Sequence, residues 1–304
     1  MAENPSNMKK IATIGFFDGV HKGHQYLFEH LRQLASEKEL QPLIVTFDTH
    51  PRGILQADYV PQLLTTSDER LALLRQEVSE VLVLDFKQIQ EQTAAEFMTY
   101  LRDEQHVAVL LMGYDHQFGS DRLHRPQDYR RIGEQLGVEV VTMGEYAEGE
   151  WHVSSTEIRQ ALETGNVAVA NELLGRPYEL SGVVVHGKGI GRTIGFPTAN
   201  IQPECAEKMV PKAGVYIVKV KGEKLKEEGV RSCARGILNI GTNPTVGNTE
   251  RTIELHLPLF NGDLYGERLT IQFERFLREE QKFPSLRELQ QKIKEDLSSL
   301  IANR

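Results

Sequence analysis

Cysteine is scarce in this 304-residue chain: there are two, Cys205 and Cys233, with no C-x-x-C pair. That excludes a disulfide framework and a cysteine-based zinc cluster, and both residues read as ordinary reduced thiols. Long apolar runs are missing too. The longest, such as Val107 to Met112, are far too short to cross a bilayer. Residues 1–10 are polar and lack the apolar core of a secretion signal. Positive charge is in deficit: 35 Lys and Arg against 43 Asp and Glu give a formal net charge of −8, which argues against a general nucleic-acid or membrane surface. The expectation is a cytoplasmic protein that works on small molecules, with no nucleic-acid or membrane partner and an oligomeric state left open. An anionic substrate would then need a local basic pocket, for which His21, Lys22, His24, Arg159, Lys188 and Arg192 are candidates.

What is present is ample apolar material, 40% of residues, in a chain long enough for two domains. The first part repeats a rhythm. Short apolar runs at residues 11–16, 42–47, 81–86, 107–112 and 138–143 alternate with helical patterns at 25–38, 67–77, 93–102 and 128–136. Strands alternating with helices imply a parallel sheet covered on both faces, with ligands outside the C-terminal strand ends. A short helix at 166–174 ends at Gly175, a left-handed stop. A boundary is expected between residues 175 and 182, giving domains 1–177 and 178–304. Beyond it come serial strands at 182–186, 215–221, 236–240, 252–258 and 269–275, the pattern of an antiparallel barrel. Residues 285–300 close the chain as an amphipathic helix, with Leu286, Leu289, Ile293, Leu297 and Leu300 on one stripe expected to pack on the barrel.

Chemistry-bearing motifs sit where the first rhythm places them. After the first strand comes Gly15-Phe16-Phe17-Asp18-Gly19-Val20-His21-Lys22-Gly23-His24, a glycine-containing turn before a helix. Free N–H groups at a helix start favour a phosphate. His21 and His24 can donate to phosphate oxygens, as transfer of a nucleotidyl group requires; alone, such a pair serves equally as a helix cap. After the second strand, Thr46-Phe47-Asp48-Thr49-His50-Pro51 holds His50 extended, where it could face the crevice; alone, such a stretch is more often an ordinary loop. After the fourth comes Gly113-Tyr114-Asp115-His116-Gln117-Phe118-Gly119, followed by a polar segment, 119–126, expected to be a mobile flap. Ser154-Ser155-Thr156-Glu157-Ile158-Arg159 opens a helix with a capping box and adds hydroxyls and a guanidinium for phosphate. In the second part, Gly187-Lys188-Gly189-Ile190-Gly191-Arg192-Thr193-Ile194-Gly195-Phe196-Pro197-Thr198-Ala199-Asn200 brings glycines that let backbone approach phosphate, and Thr198 and Asn200 offer hard oxygens for Mg²⁺. It is not a Walker A sequence.

The first motif, ten residues long, resembles the adenylyltransferase signature of bacterial bifunctional riboflavin kinase/FAD synthetases, and the string ending in Pro-Thr-Ala-Asn resembles the riboflavin kinase signature. The resemblance spans residues 9–296. It implies a Rossmann-like nucleotidyltransferase domain followed by a small β-barrel kinase domain. It also implies ATP, riboflavin, FMN and FAD as substrates and products, with Mg²⁺. By the same resemblance, Gly15, Phe17, Asp18, His21, His24, His50, Asp115, Phe118, Ser154, Ser155, Thr156 and Arg159 would serve adenylyl transfer. Gly187, Lys188, Gly189, Gly191, Arg192, Gly195, Pro197, Thr198 and Asn200 would serve the kinase, with Glu254 matching the family's base and His256 read as structural. His116 and Gln117 depart from the family pattern, which otherwise has Phe and a basic residue there. Two other readings stay open: a kinase whose first half is inactive or differently specific, and a flavin-binding regulator without turnover.

Overall fold

The computed structural model describes residues 8–56, 58–113, 116–123, 125–144, 147–148, 151–187, 190–227, 233–245 and 248–301. The chain divides into two compact units, Met1–Ser155 and Thr156–Arg304. The expected boundary at residues 175–182 lies further along the chain.

In the first unit the order is β1 (Lys10–Ile14), α1 (Lys22–Glu37), β2 (Gln41–Phe47), α2 (Pro51–Leu55), α3 (Ser67–Glu77), β3 (Glu80–Leu84), α4 (Phe86–Ile89), α5 (Ala94–Gln105), β4 (Val107–Met112), α6 (Pro126–Leu136) and β5 (Glu139–Thr142). A two-residue-strand hairpin follows, β6 (Ala147–Glu148) and β7 (Trp151–His152). The five long strands are parallel in the order β3-β2-β1-β4-β5. Strand alternation divides their side chains between two cores. Ile11, Ile44, Val109 and Leu111 meet Phe28, Leu31 and Leu74 from α1 and α3. Ala12, Ile14, Leu43, Val45, Leu110 and Met112 meet Phe97, Met98 and Leu101 from α5. Each of these buried side chains larger than alanine contributes about 1.5–3 kcal/mol. The order reverses between β1 and β4, and crevices form at the C-terminal side of such a switch point.

Two expectations change here. Helix α1 begins at Lys22 rather than at residue 25, because the His21 side chain caps it, accepting from the His24 N–H at 3.3 Å. The segment expected to be a flap is tied down instead. Ser120 donates its hydroxyl to the Glu91 carbonyl, the Ala94 N–H donates to Asp121, and the buried Tyr129 hydroxyl holds the backbone at Phe118 and Leu123.

The second unit opens with α7 (Ser155–Glu163, its first residue shared with the first unit) and α8 (Val167–Leu174), which ends at Gly175 with φ 72°. Then come β8 (Glu179–Val185), α9 (Ile190–Thr193), β9 (Ala199–Pro203), β10 (Gly214–Lys221), α10 (Glu223–Glu227), β11 (Ala234–Thr245), β12 (Asn248–His256), β13 (Arg268–Arg278) and α11 (Leu286–Ile301). Six strands close a barrel, β10-β11-β12-β9-β8-β13, with every pairing antiparallel. Closure leaves no free sheet edge. Strand β9 was not anticipated. Its first two residues pair with Leu255 and Glu254, and those partners lie more than fifty residues away in sequence. The α11 stripe also divides: Leu297 and Leu300 pack on Val215, Ile217 and Ile237, Leu289 and Ile293 face a cavity, and Leu286 is 61% exposed. Only the C-terminal half of the helix therefore packs on this core.

Candidate active sites

At the end of β1 the backbone bends sharply: Phe17 has φ 55° and Val20 has φ 41°, left-handed values rare for bulky residues. This bend brings His21 to the start of α1. His21 is 5% exposed and stacks on His24, ring centroids 3.6 Å apart and 20° from parallel. Because the His21 Nδ1 accepts the cap bond, the proton of its neutral ring is on Nε2. Gly23 is required locally, since a Cβ there would lie 2.9 Å from the Val153 carbonyl oxygen and 3.1 Å from His21 Nδ1. Gly15 is required too: its Cβ would meet the Phe17 ring at 2.7 Å. The two histidines and the α1 N-terminus form one donor cluster at the C-terminal side of the sheet.

The other residues expected here make the following contacts. Phe17 is buried under His24 and Phe28, at 5.2 and 5.0 Å, and so supports His24 from below. The buried Asp18 carboxylate accepts from the N–H groups of Leu64 and Thr65 and from the Thr65 hydroxyl, all at 3.0 Å. It anchors the approach to α3 across 46 residues. Ser155 donates its hydroxyl to the Asp18 carbonyl. His50 caps α2 through Nδ1 and packs on Phe16 at 4.6 Å. Under Phe16 lies the fully buried Arg70, 3.9 Å from the ring centroid and donating to the Phe47 carbonyl; burial lowers its guanidinium to about 10, against the opposing charges of Asp18 and Asp48. Phe118 packs between Phe97 and Tyr129. Asp115 lies outside the described residues. Ser154 closes the first unit with Ser155, and Thr156 and Arg159 stand on α7 in the second.

In the barrel the predicted residues converge. The Thr198 hydroxyl donates to Glu254 Oε2 at 3.3 Å, and Asn200 is the cross-strand neighbour of Glu254. Gly187 makes room for Asn200, because a Cβ there would fall 2.0 Å from its amide nitrogen. Gly191 makes room for the Phe196 carbonyl and Thr198, and Gly195 takes φ 83°. Gly187 and Gly191 thus leave space for Asn200 and Thr198, and residues 190–193 form one helical turn. Lys188 and Gly189 lie outside the described residues.

Two cavities adjoin this cluster. One, of about 330 Å³, is lined by apolar Ile194, Phe196, Val215, Ile237, Phe283 and Ile293, with Glu254 and His256 on its wall. The other, of about 570 Å³, is lined by Arg192, Pro197, Phe260, Asp263 and Tyr265. Thr198 borders both. Residues 254–257, at the end of β12 and just beyond it, alternate between them: Glu254 and His256 line the first, Leu255 and Leu257 the second. A bidentate pair between Arg278 and the buried Asp296 fastens α11 to β13 at the first cavity. Sequence reasoning missed His256, Arg278 and Asp296 as lining residues. The two-residue step from Glu254 to His256 was a usable signal; Arg278 and Asp296 carried none.

The donor set suits a hard cation. Thr198 and Asn200 offer neutral oxygens, and because the Thr198 hydroxyl donates to Glu254, its oxygen is left to accept. Among the described residues no group of three His, Cys, Asp or Glu side chains could hold a metal alone. A magnesium ion here would share its coordination with phosphate and water.

Comparison with known proteins agrees with both halves. The FAD synthetase family model matches residues 3–157, and the riboflavin kinase model matches residues 174–302. The bifunctional riboflavin kinase/FMN adenylyltransferase of Escherichia coli K12 is 36% identical over 289 residues, 94% of this chain and 90% of that protein. The Pseudomonas fluorescens enzyme of the same description is 37% identical over 298 residues, 97% and 93% of the two chains. A solved Streptococcus pneumoniae structure, described as a macrolide-efflux protein, superposes with a TM-score of 0.87 at 33% identity, over 99% of this chain and 95% of that one. Among the described residues of the present chain, no helix is long and apolar enough to cross a membrane. The chain belongs to the bifunctional riboflavin kinase/FMN adenylyltransferase family.

Proposed function

We propose that this chain catalyses two consecutive steps of flavin cofactor synthesis. In the barrel, riboflavin and ATP give FMN and ADP. In the parallel-sheet unit, FMN and a second ATP give FAD and pyrophosphate. The observation that carries the kinase assignment is the Thr198–Glu254 contact at the border of two cavities. The smaller cavity, with Ile194, Phe196, Val215, Ile237, Phe283 and Ile293 on its wall beside polar Asn239, Glu280 and Gln281, suits a planar flavin ring that carries polar edges, with the ribityl chain reaching Glu254. The larger one, with Arg192 on its wall, suits ATP. The Glu254 carboxylate takes the proton of the terminal ribityl hydroxyl as that oxygen attacks the γ-phosphorus and ADP departs. Mg²⁺, held by Thr198, Asn200 and the phosphates, would neutralise the charge on the phosphoryl oxygens.

In the first unit, the FMN phosphate attacks the α-phosphorus of ATP and pyrophosphate leaves, with no covalent enzyme intermediate. His21 Nε2–H, His24 and the α1 N-terminus donate to the charge that builds on the α-phosphate oxygens. Because ATP is consumed in both steps, we place the reactions in the cytoplasm. Incubation with riboflavin and MgATP, followed by separation of flavins, tests this reading: FAD supports both steps, FMN alone removes the second, and unchanged riboflavin overturns the assignment.

A further inference from the structure

His256 was expected to be structural, yet its ring stands on the wall of the smaller cavity two residues from Glu254. Its Nδ1 lies 2.8 Å from the carbonyl oxygen of Pro197. A carbonyl oxygen only accepts, so Nδ1 carries the hydrogen and the bond fixes the ring's tautomer. The ring edge also meets Phe196 at 5.8 Å, 77° from parallel. Both contacts fall on the two residues just before Thr198. The same loop is held at Ile194, where Gln290 of α11 donates to the carbonyl. Between that point and β9, the His256 ring holds the backbone next to Thr198.

We propose that His256 is a positioning residue for phosphoryl transfer: its Nδ1–H holds the Pro197 carbonyl and thereby sets Thr198 against Glu254 at the border of the two cavities. The geometry has a simple logic. Glu254 and His256 lie on the same face of β12, two residues apart, so the strand that carries the base also carries the clamp for the loop that meets it. Movement of the Pro197 carbonyl by about 1 Å would shift Thr198 by a similar amount, and errors of that size cost on the order of 10²-fold in rate.

The inference rests on the barrel being the kinase, and the full-length chain with riboflavin and MgATP tests the two separately. If the unmodified chain makes no FMN, the kinase reading falls. Given FMN formation, the test compares His256→Asn with His256→Gln and His256→Phe. The Asn amide nitrogen sits near the position of Nδ1 and can still donate to Pro197. The Gln amide sits near Nε2 and cannot, and Phe keeps only the bulk against Phe196. His256→Phe and His256→Gln should lower kcat/KM for FMN formation about 10²-fold. Asn should recover about tenfold of that, the worth of one hydrogen bond. Conversion of supplied FMN to FAD in the same samples should be unchanged, and assays are run below every variant's melting temperature. A packing role alone would lower melting temperature and leave kcat/KM intact, or would rank Phe above Asn. Gln equal to Asn, or Phe within about threefold of the unmodified chain, below the misplacement cost expected, overturns the proposal. If His256→Phe does not fold, the Asn–Gln ranking decides alone.

Discussion

Gly187→Ala should silence the kinase while leaving the fold intact. The backbone at Gly187 is outside the left-handed region, and the position is exposed, so alanine brings no backbone strain. The new Cβ, however, would lie 2.0 Å from Asn200 Nδ2, 2.4 Å from Cγ and 2.8 Å from Oδ1. Restoring ordinary contact at about 3.4 Å requires the amide to move by about 1.4 Å. Asn200 cannot yield through its backbone, which is paired to Glu254 across β9 and β12. Its side chain must rotate, at a stability cost of about 0.5–1.5 kcal/mol if it is forced off a rotamer. A displacement above 1 Å beside the transferring phosphoryl group should cost on the order of 10²-fold, about 2.7 kcal/mol in the barrier. The assay is FMN formation from riboflavin and MgATP, with FAD formation from supplied FMN as internal control and thermal melting as the check on folding. Asn200→Ala should lose a similar factor, and the double variant should lose little more, because both changes remove one group. A folded Gly187→Ala chain with kinase kcat/KM within about threefold of the unmodified value would refute the placement of Asn200 at the site.

Other outcomes follow from the same geometry. His24→Ala should reduce FAD formation by on the order of 10²–10³ while FMN formation continues; unchanged FAD synthesis removes His24 from the reaction. Glu254→Gln should drop FMN production steeply and leave adenylylation of supplied FMN intact; kinase turnover within about twofold, below usual general-base contributions, means that another group is the base. Gly23→Ala drives a Cβ toward a backbone oxygen and the cap atom of His21, so FAD formation and the melting of the first unit should fall together; a variant that melts normally would show that α1 can shift without cost. We also propose that residues 178–304 form a self-sufficient kinase. This fragment loses Asn171, whose amide holds the Tyr178 N–H at 2.7 Å and the Phe273 carbonyl at 2.8 Å, so it should melt below a 156–304 fragment while still making FMN. Cooperative melting without FMN formation would place part of the site upstream of residue 178.

The sequence by itself determined the two architectures and the segments in which the candidate site residues lie. The alternation of apolar runs with 3.6-residue patterns, then the change to serial strands, are local periodicities that hold wherever the segments end up. His21, His24, Thr198 and Asn200 were legible as candidates because a turn before a helix and a glycine-rich loop announce themselves in consecutive residues, whereas Glu254 came only from the family resemblance. Tertiary structure alone decided how each letter is used. Asp18 was expected beside phosphate, and its carboxylate receives hydrogen bonds from Leu64 and Thr65, 46 and 47 positions away. Phe17 and Phe118 looked like ligand contacts and support His24 and Tyr129. The glycines of residues 187–195 looked like a phosphate cradle, and two of them leave space for Asn200 and Thr198. His256 looked inert because its partner, Pro197, is 59 residues distant. A residue's type and its immediate spacing are properties of the chain. Which distant atom arrives within hydrogen-bonding distance depends on barrel closure and strand register, and those are set by the packing of all the segments at once.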